Sequence, residues 1–301
     1  MNAPHEPGPA ARLHASGLTL SYDRRVISSG LNVVIPDQSF TVIVGANACG
    51  KSTLLSALAR TLKPAEGTAY LDGKSITSMP SKEVARKLGL LPQTPTAPTG
   101  MTVADLVARG RFPHQRLLRQ WSRDDERIVT DAMEATGIRD LADRFVDELS
   151  GGQRQRAWIT MALAQQTKIL LLDEPTTFLD IAYQTDVLDL CADLHEFQDY
   201  TLVAVLHDLN QACRYATHLI AMREGRIIAQ GPPSTIVTAD LVKDVFGLAC
   251  EVIDDPQTGT PLVIPIHRRH RKRPDPSKPL LNPPSLRPRT EPPHPQPVPA
   301  G

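Results

Sequence analysis

The stretch GANACGKST, from Gly45 to Thr53, combines two glycines, a lysine and two hydroxyl side chains. Gly45, Gly50, Lys51 and Ser52 have the spacing of a phosphate-binding loop between a strand and a helix. Glycines let the backbone N–H groups turn inward around an oxyanion, and the start of the helix adds positive charge. Lys51 would supply charge to the β and γ phosphates of a nucleotide, and Ser52 would offer its hydroxyl to Mg²⁺.

A second apolar run, Ile169 to Leu172, is followed by two carboxylates, Asp173 and Glu174. In phosphate-loop enzymes, the first acid at such a strand end completes the Mg²⁺ shell. The second acid is placed to orient and deprotonate an attacking water. An acidic junction after a strand is common by itself, but beside a phosphate loop the pair indicates nucleotide hydrolysis.

A second glycine-rich element, LSGGQRQR, runs from Leu149 to Arg156, shortly before the acidic strand. Ser150 is a natural cap for the helix that this element opens. The start of that helix is a second candidate anion site, for the same physical reason as the first.

Three further side chains stand where predicted strands end. Gln93 follows the run LGLLP and could contact a metal or water, and His207 follows LVAVL and could hold an oxygen of the γ phosphate. Tyr22 ends the first strand cluster and could stack on adenine. Each of the three side chains could instead have only a structural role, because polar residues at the ends of elements and tyrosines in turns are common.

The elements that must position these residues are short apolar runs separated by helical patterns. Predicted strands cover 18–22, 31–35, 40–44, 88–92, 169–173, 202–206 and 218–222, and predicted helices cover 51–60, 154–166 and 181–196. Runs that are apolar throughout are typical of strands buried on both faces, as in parallel sheets. The fold class is therefore α/β with a mostly parallel core sheet, while short turns between residues 12 and 44 favour an antiparallel edge.

Between about 94 and 166 the pattern is helical, which predicts a helical subdomain inserted in the α/β core. One helix is expected after a Ser122 cap and should end at Gly137. From 268 to 301 the chain holds a basic cluster and 11 of its 27 prolines, which predicts a disordered tail. Residues 1–11 would be an N-terminal extension, and 12–267 the main domain. The basic cluster is either a solvated tail or a patch attracted to anionic lipid.

Composition narrows the class of protein. Among 301 residues, Lys plus Arg and Asp plus Glu number 33 each, so the overall charge gives no reason to expect a nucleic acid partner. The spacing of the cysteines suits neither a disulfide framework nor a zinc site and predicts reduced thiols; they are Cys49, Cys191, Cys213 and Cys250. No apolar run approaches the length of a membrane span, and the first residues lack a signal-peptide core, so we expect neither.

Taken together, these motifs resemble those of the ATP-binding-cassette ATPases. The motifs are GANACGKST, PQ at 92–93, LSGGQ, LLLDEP, FLD at 178–180 and HD at 207–208. The resemblance spans roughly residues 13–267 and implies a phosphate-loop ATPase fold with ATP and Mg²⁺ as cofactors. It implies ATP binding by Tyr22, Gly45, Ala46, Asn47, Ala48, Cys49, Gly50, Lys51, Ser52, Thr53 and Gln93. Mg²⁺ would be held by Ser52 and Gln93, with Asp173 reaching it through water; Glu174 would be the catalytic base and His207 the γ-phosphate sensor.

The same resemblance implies that each ATP site is shared by two chains. Ser150, Gly151 and Gly152 would close on the ATP of a second copy in a head-to-tail homodimer, and Asp180 would lie at that contact. The phosphate loop departs from the commonest form, GPNGCGKST, at Ala46 and Ala48. If position 48 needs a positive φ, its methyl group costs about 1 kcal/mol.

Other stretches narrow the resemblance to the ATPase subunits of bacterial ferric-siderophore importers. These stretches are ARGRFPHQ at 108–115, LLRQWSRDD at 117–125, residues 204–231 and IDDPQTGTPLVIP at 253–265. Such a subunit would lie peripherally on the cytoplasmic face of the inner membrane. It would bind integral-membrane permease subunits near the helical insert. A substrate-binding protein would be an indirect partner. ATPases for haem or cobalamin import and a soluble cassette protein without a transport role are the alternatives.

Overall fold

The computed structural model describes residues 11–22, 25–115 and 121–266, and those of them up to Pro265 form one compact unit. Its strands are β1 (Leu13–Tyr22), β2 (Arg25–Ile35), β3 (Phe40–Gly45), β4 (Glu66–Leu71), β5 (Lys74–Ser75), β6 (Leu88–Leu91), β7 (Ile169–Asp173), β8 (Thr201–Val205), β9 (His218–Arg223), β10 (Arg226–Gly231), β11 (Cys250–Asp254) and β12 (Pro261–Pro265). Its helices are α1 (Lys51–Leu58), α2 (Ser81–Ala85), α3 (Val103–Arg109), α4 (Arg123–Ala135), α5 (Gly151–Ala164), α6 (Ile181–Gln198), α7 (Leu209–Tyr215), α8 (Pro233–Ile236) and α9 (Ala239–Phe246). The tail predicted at 268–301 and most of the extension at 1–11 lie outside the described residues.

The core sheet has the strand order β10-β9-β3-β8-β7-β6, and its strands from β9 to β6 are parallel. These strands are apolar and almost fully buried, which confirms the predicted parallel α/β core. Carboxyl ends of parallel strands lie at one edge of a sheet, where α/β proteins place their ligands. In the register, Ile43 and Asp173 both pair with Val205, so the segments after β3, β7 and β8 leave the sheet side by side.

A second sheet, antiparallel, has the order β2-β1-β4-β5 and confirms the predicted antiparallel edge. Its inner face and one face of the core sheet share an apolar cluster with α1, including Leu54, Leu55 and Leu58. Packing of α1 against both sheets fixes the position of the loop that precedes it. Sequence patterns missed β4, because Glu66 to Leu71 contains small and polar residues and pairs with β1 only in the folded chain.

Between β6 and β7 the described chain is largely helical, as predicted. Helix α4 begins after Ser122, whose hydroxyl accepts the N–H of Asp125 while the Asp125 carboxylate accepts the N–H of Ser122. This reciprocal capping box confirms the expected start of the helix. The limits of a helical subdomain at about 94 and 166 stay a prediction, since this segment and the core strands contribute to one apolar cluster.

A buried arginine joins the ends of three of these elements. Arg111, which follows α3, donates from Nε to Asp125 Oδ1 at 2.8 Å, and from Nη1 to the carbonyl oxygen of Ala164 at 2.8 Å and to Gln166 Oε1 at 2.9 Å. Arg111 is 5% exposed. Burial by itself raises the pKa of Asp125, but hydrogen bonds from Ser122 and Arg111 outweigh it and lower that pKa. The ion pair joins α3 to α4, and the hydrogen bond to Ala164 joins the same guanidinium to the end of α5.

We predict that Arg111→Met destabilises the protein by about 3 kcal/mol at pH 7, because it leaves a buried carboxylate unpaired. A depressed pKa in the folded state contributes stability above the ordinary carboxyl pKa, and that contribution disappears as the pH falls through the folded value. The difference between variant and wild type, measured by urea unfolding, should thus shrink below about pH 4. Arg127→Met, which removes the exposed pair with Asp124, is the control and should change little. An equal loss in both variants would contradict the prediction.

Candidate active site

The phosphate loop leaves the core sheet at Gly45 and enters α1 at Lys51. Gly45 has φ 153°, and a Cβ atom there would lie 2.1 Å from the carbonyl oxygen of Met222, so only glycine fits. Gly50 caps the helix with φ 105°. The loop closes on itself through the N–H of Cys49, which donates to the carbonyl oxygen of Ala46 at 3.3 Å. The sequence GANACGKST therefore forms the strand–loop–helix unit that its spacing predicts.

Ala48 occupies the left-handed region of the backbone, with φ 59°. The condition stated from the sequence is met, because position 48 does require a positive φ. A non-glycine residue in this region costs on the order of 1 kcal/mol. The folded loop has this conformation, so the strain at Ala48 lowers the stability of the folded chain.

Lys51 is 5% exposed and donates from Nζ to the carbonyl oxygens of Gly45 at 3.0 Å and Ala46 at 3.1 Å. Its positive charge is thus held against the inner wall of the loop.

Ser52 and Asp173 join the phosphate loop to the end of β7. Ser52 Oγ donates to Asp173 Oδ1 at 2.8 Å. Burial raises the pKa of Asp173 most, the hydrogen bond from Ser52 opposes this, and the charge of Glu174 raises it further. A hydroxyl and a carboxylate in contact are hard oxygen ligands, and a divalent cation would stabilise the buried negative charge. These two residues therefore fit Mg²⁺.

Glu174 lies at the centre of the site and its side chain is 10% exposed. Its Oε1 lies 2.6 Å from His207 Nε2. Its Oε2 accepts hydrogen bonds from Gln93 Nε2 at 2.5 Å and from Thr177 Oγ1 at 3.1 Å. The segments that follow β6, β7 and β8 thus each supply a residue that contacts this carboxylate or carries it. Its own backbone has φ 52°, so the position is strained as well as crowded.

The phosphate loop, Gln93, Glu174 and His207 line one cleft of about 460 Å³. Its lining residues are Ile27, Asn47, Ala48, Cys49, Gly50, Lys51, Ser52, Thr53, Gln93, Glu174 and His207. Sequence patterns predicted each of these side chains except Ile27, which carries no recognisable motif. Tyr22 is not among the lining residues; it is 51% exposed at the end of β1, and its role at adenine stays a prediction.

The second glycine-rich element does not line this cleft. Ser150 caps α5 and exchanges hydrogen bonds with Gln153, as its sequence predicts. A Cβ atom on Gly152 would lie 2.5 Å from the ring of Tyr183, so this glycine allows α5 and α6 to approach. Gly151 is exposed. One chain therefore brings the phosphate loop together with Glu174, and keeps Ser150 to Gly152 outside that cleft.

Asp180 caps α6, where its Oδ1 accepts the N–H of Tyr183 at 3.0 Å. It too lies outside the cleft lining. Thr177, which contacts Glu174, was missed by the sequence analysis. A hydroxyl three residues after the acid, in a turn, is the only pattern that could have indicated it.

Comparison with known proteins agrees with this geometry. A family model described as ABC transporter matches residues 28–177. The ferric enterobactin transport ATP-binding protein FepC of Escherichia coli is 59% identical over 86% of this chain and 95% of its own length. The "Probable siderophore transport system ATP-binding protein YusV" of Bacillus subtilis is 55% identical over 84% of this chain and 92% of its own length.

The chain belongs to the ABC transporter family. ATP is therefore the nucleotide of its phosphate loop.

Solved structures show the same fold for this ABC protein. A chain of an inward-facing metal-chelate type ABC transporter is similar, with a TM-score of 0.75 and 27% identity, over 86% of this chain and 99% of that chain. A dimeric ATP-binding cassette in a post-hydrolysis state, bound to ADP and Pi, gives a TM-score of 0.65 at 25% identity, over 73% of this chain and 98% of that chain.

We predict that Glu174→Gln retains ATP binding but lowers ATP hydrolysis at least about 100-fold, because an amide cannot accept the proton of the attacking water. ATP that is not cleaved should also keep two copies associated, which size-exclusion chromatography with ATP can detect. Glu196→Gln, an exposed change on α6, is the matched control and should keep normal turnover. Near wild-type turnover in Glu174→Gln would refute the assignment of the base.

Proposed function

We propose that this ABC protein is the ATP-hydrolysing subunit that powers import of ferric siderophores through a membrane permease. The observation that carries the enzymatic part is the Glu174 carboxylate, held by Gln93, Thr177 and His207 beside the phosphate loop. Two relatives that match nearly the whole cassette are named for ferric enterobactin and siderophore transport, which supports the substrate class.

In the proposed mechanism, the backbone N–H groups of the loop and the Lys51 ammonium bind the β and γ phosphates of ATP. Ser52, Gln93 and Asp173 would hold Mg²⁺, which neutralises negative charge on the phosphates when it is bound. Glu174 orients the attacking water and takes its proton. His207 donates a hydrogen bond to the γ phosphate, and it leaves Glu174 when it does so, because one imidazole nitrogen cannot serve both acceptors at once.

A second copy of the chain would complete each site. Ser150, Gly151 and Gly152 lie outside the cleft of their own chain, which supports their use in a partner's site. One similar solved cassette is dimeric, which supports a dimer of this chain. In the described part of the chain, no helix is both long and apolar enough to span a bilayer. Integral-membrane permease subunits would form the path of transport.

The permease would dock on the described part of the helical insert after Gln93, since Gln93 connects that insert to Glu174. This contact would hold the ATPase on the cytoplasmic face of the inner membrane. A substrate-binding protein would deliver the ferric siderophore to the permease on the other side.

Mixing two inactive variants tests the shared sites. Lys51→Ala and Ser150→Arg each damage both sites of a homodimer, whereas a heterodimer of the two concentrates both lesions in one site. We predict partial recovery of ATPase activity on mixing, because the other site of the heterodimer is intact. Mixing Lys51→Ala with Glu174→Gln is the control and should not recover, since both residues serve the ATP of their own chain and each site of that heterodimer therefore carries one lesion. Absence of recovery in proven heterodimers of the first pair would contradict the trans arrangement.

Uptake assays test the substrate class. In a host strain that lacks this chain, we predict that uptake of iron-55 supplied as ferric siderophores is lost, and that wild type but not Glu174→Gln restores it. Uptake of labelled haem and cobalamin in the same strain is the comparison. Loss of haem or cobalamin uptake alone would move the proposal to the alternative importers. Normal uptake of every ligand would favour a cassette protein without a transport role.

A further inference from the structure

Two glutamine side chains connect the loop after Glu174 to the helix after His207. Gln184, in the first turn of α6, donates from Nε2 to the carbonyl oxygens of Thr176 at 3.3 Å and Leu179 at 3.1 Å. Its Oε1 accepts a hydrogen bond from Gln211 Nε2 at 3.1 Å. Both glutamines are half-buried. The Gln184 amide thus binds the loop, and the Gln211 amide binds Gln184.

Gln211 is positioned by the start of α7. The Asp208 carboxylate caps this helix and accepts the N–H groups of Asn210 at 2.8 Å and Gln211 at 3.0 Å. Asp208 follows His207 directly, so the backbone that carries His207 and the first turn of α7 form one hydrogen-bonded unit. The glutamine pair therefore joins this unit to the loop that carries Glu174.

The loop needs such support because two of its residues are strained, and one of them, Phe178, gains little from packing. Glu174 has φ 52° and Phe178 has φ 65°, and each left-handed residue costs on the order of 1 kcal/mol. Phe178 is 90% exposed and so gains little from burial in its own chain. Gln184 anchors the two carbonyl oxygens that flank Thr177 and Phe178, and Thr177 in turn bonds Glu174.

We propose that Gln184 and Gln211 are positioning residues for ATP hydrolysis, which hold the loop from Glu174 to Asp180 in register with His207. The proposal rests on the proposed function, since it assigns the pair to that reaction. Neither glutamine lines the nucleotide cleft, so their effect is on the alignment of the base and not on ATP binding.

The same turn of α6 also touches the second glycine-rich element, because the ring of Tyr183 packs against Gly152. In a dimer with shared sites, Gly152 serves the partner's ATP, while Glu174 and His207 serve the chain's own ATP. The first turn of α6 therefore contacts groups that belong to both sites.

A second hydrogen bond joins the same two helices farther from the loop and offers a matched control. Tyr215 OH, in the last turn of α7, donates to Asp189 Oδ1 at 2.6 Å. Tyr215→Phe removes one hydrogen bond between α6 and α7, as Gln211→Leu does, but it leaves the bond between Gln184 and Gln211 in place. A general loosening of α6 against α7 would affect both variants alike.

The test measures kcat, ATP affinity and melting temperature for Gln184→Leu, Gln211→Leu, the double variant and Tyr215→Phe. We expect either glutamine variant to lower kcat about 10-fold, with ATP affinity and melting temperature close to wild type. The double variant should lose no more than Gln184→Leu alone, because that change already removes the bond to Gln211 together with both bonds to the loop. Tyr215→Phe should keep kcat within about twofold of wild type. Gln211→Ala serves as a second variant if a leucine prevents folding.

Equal losses in Tyr215→Phe and the glutamine variants would overturn the proposal, as would glutamine variants with unchanged kcat. A loss of ATP affinity without a loss of kcat would also overturn it. Failure of the proposed function is distinguishable from these results: Glu174→Gln would then hydrolyse ATP as fast as wild type, or wild type would not hydrolyse it.

Discussion

The Glu174 carboxylate and the donors around it are the interaction on which the site depends. Its oxygens contact Gln93, Thr177 and His207, which come from the ends of two strands and from its own loop. Such a convergence needs neighbouring parallel strands in one register, because only then do the ends of β6, β7 and β8 lie side by side. The buried apolar strands are thus a requirement of the chemistry as well as of stability.

Strain and its compensation are concentrated in the same region. Gly45, Ala48, Glu174 and Phe178 all have positive φ values, and each lies in one of the two segments that leave β3 and β7. Glycine removes the cost at Gly45, where a Cβ atom would collide with the backbone of β9. Glu174 is not a glycine, so the strain at its positive φ is offset by the hydrogen bonds of its carboxylate with Gln93 and Thr177.

The proposed division of the site between two chains would account for an otherwise unfavourable exposure of large apolar side chains. Phe178 is 90% exposed and Ile181 is 81% exposed, and both flank Asp180 at the start of α6. Exposed large apolar side chains at one place are typical of surfaces that contact a partner. Their position beside Ser150 to Gly152 on the one hand and Glu174 on the other suits a contact that closes both sites together.

The sequence by itself determined the family, the parallel core and nearly every side chain of the nucleotide cleft. It could do so because these features depend on local spacing: Gly45 to Ser52 form one loop, and Asp173 and Glu174 follow one apolar strand. The capping residues Ser122 and Ser150 were predictable for the same reason, since a cap acts within a single turn.

Only the tertiary structure decided which distant groups meet. Ile27 in the cleft, the Arg111 anchor, and the pair of Gln184 with Gln211 join residues far apart in the chain, with no periodic pattern to mark them. The strand β4 belongs to the same class, because its alternation of small and polar residues becomes a strand only when β1 supplies the hydrogen bonds. Residue spacing predicts structure within one segment of the chain, whereas contacts such as these depend on how separate elements pack against each other.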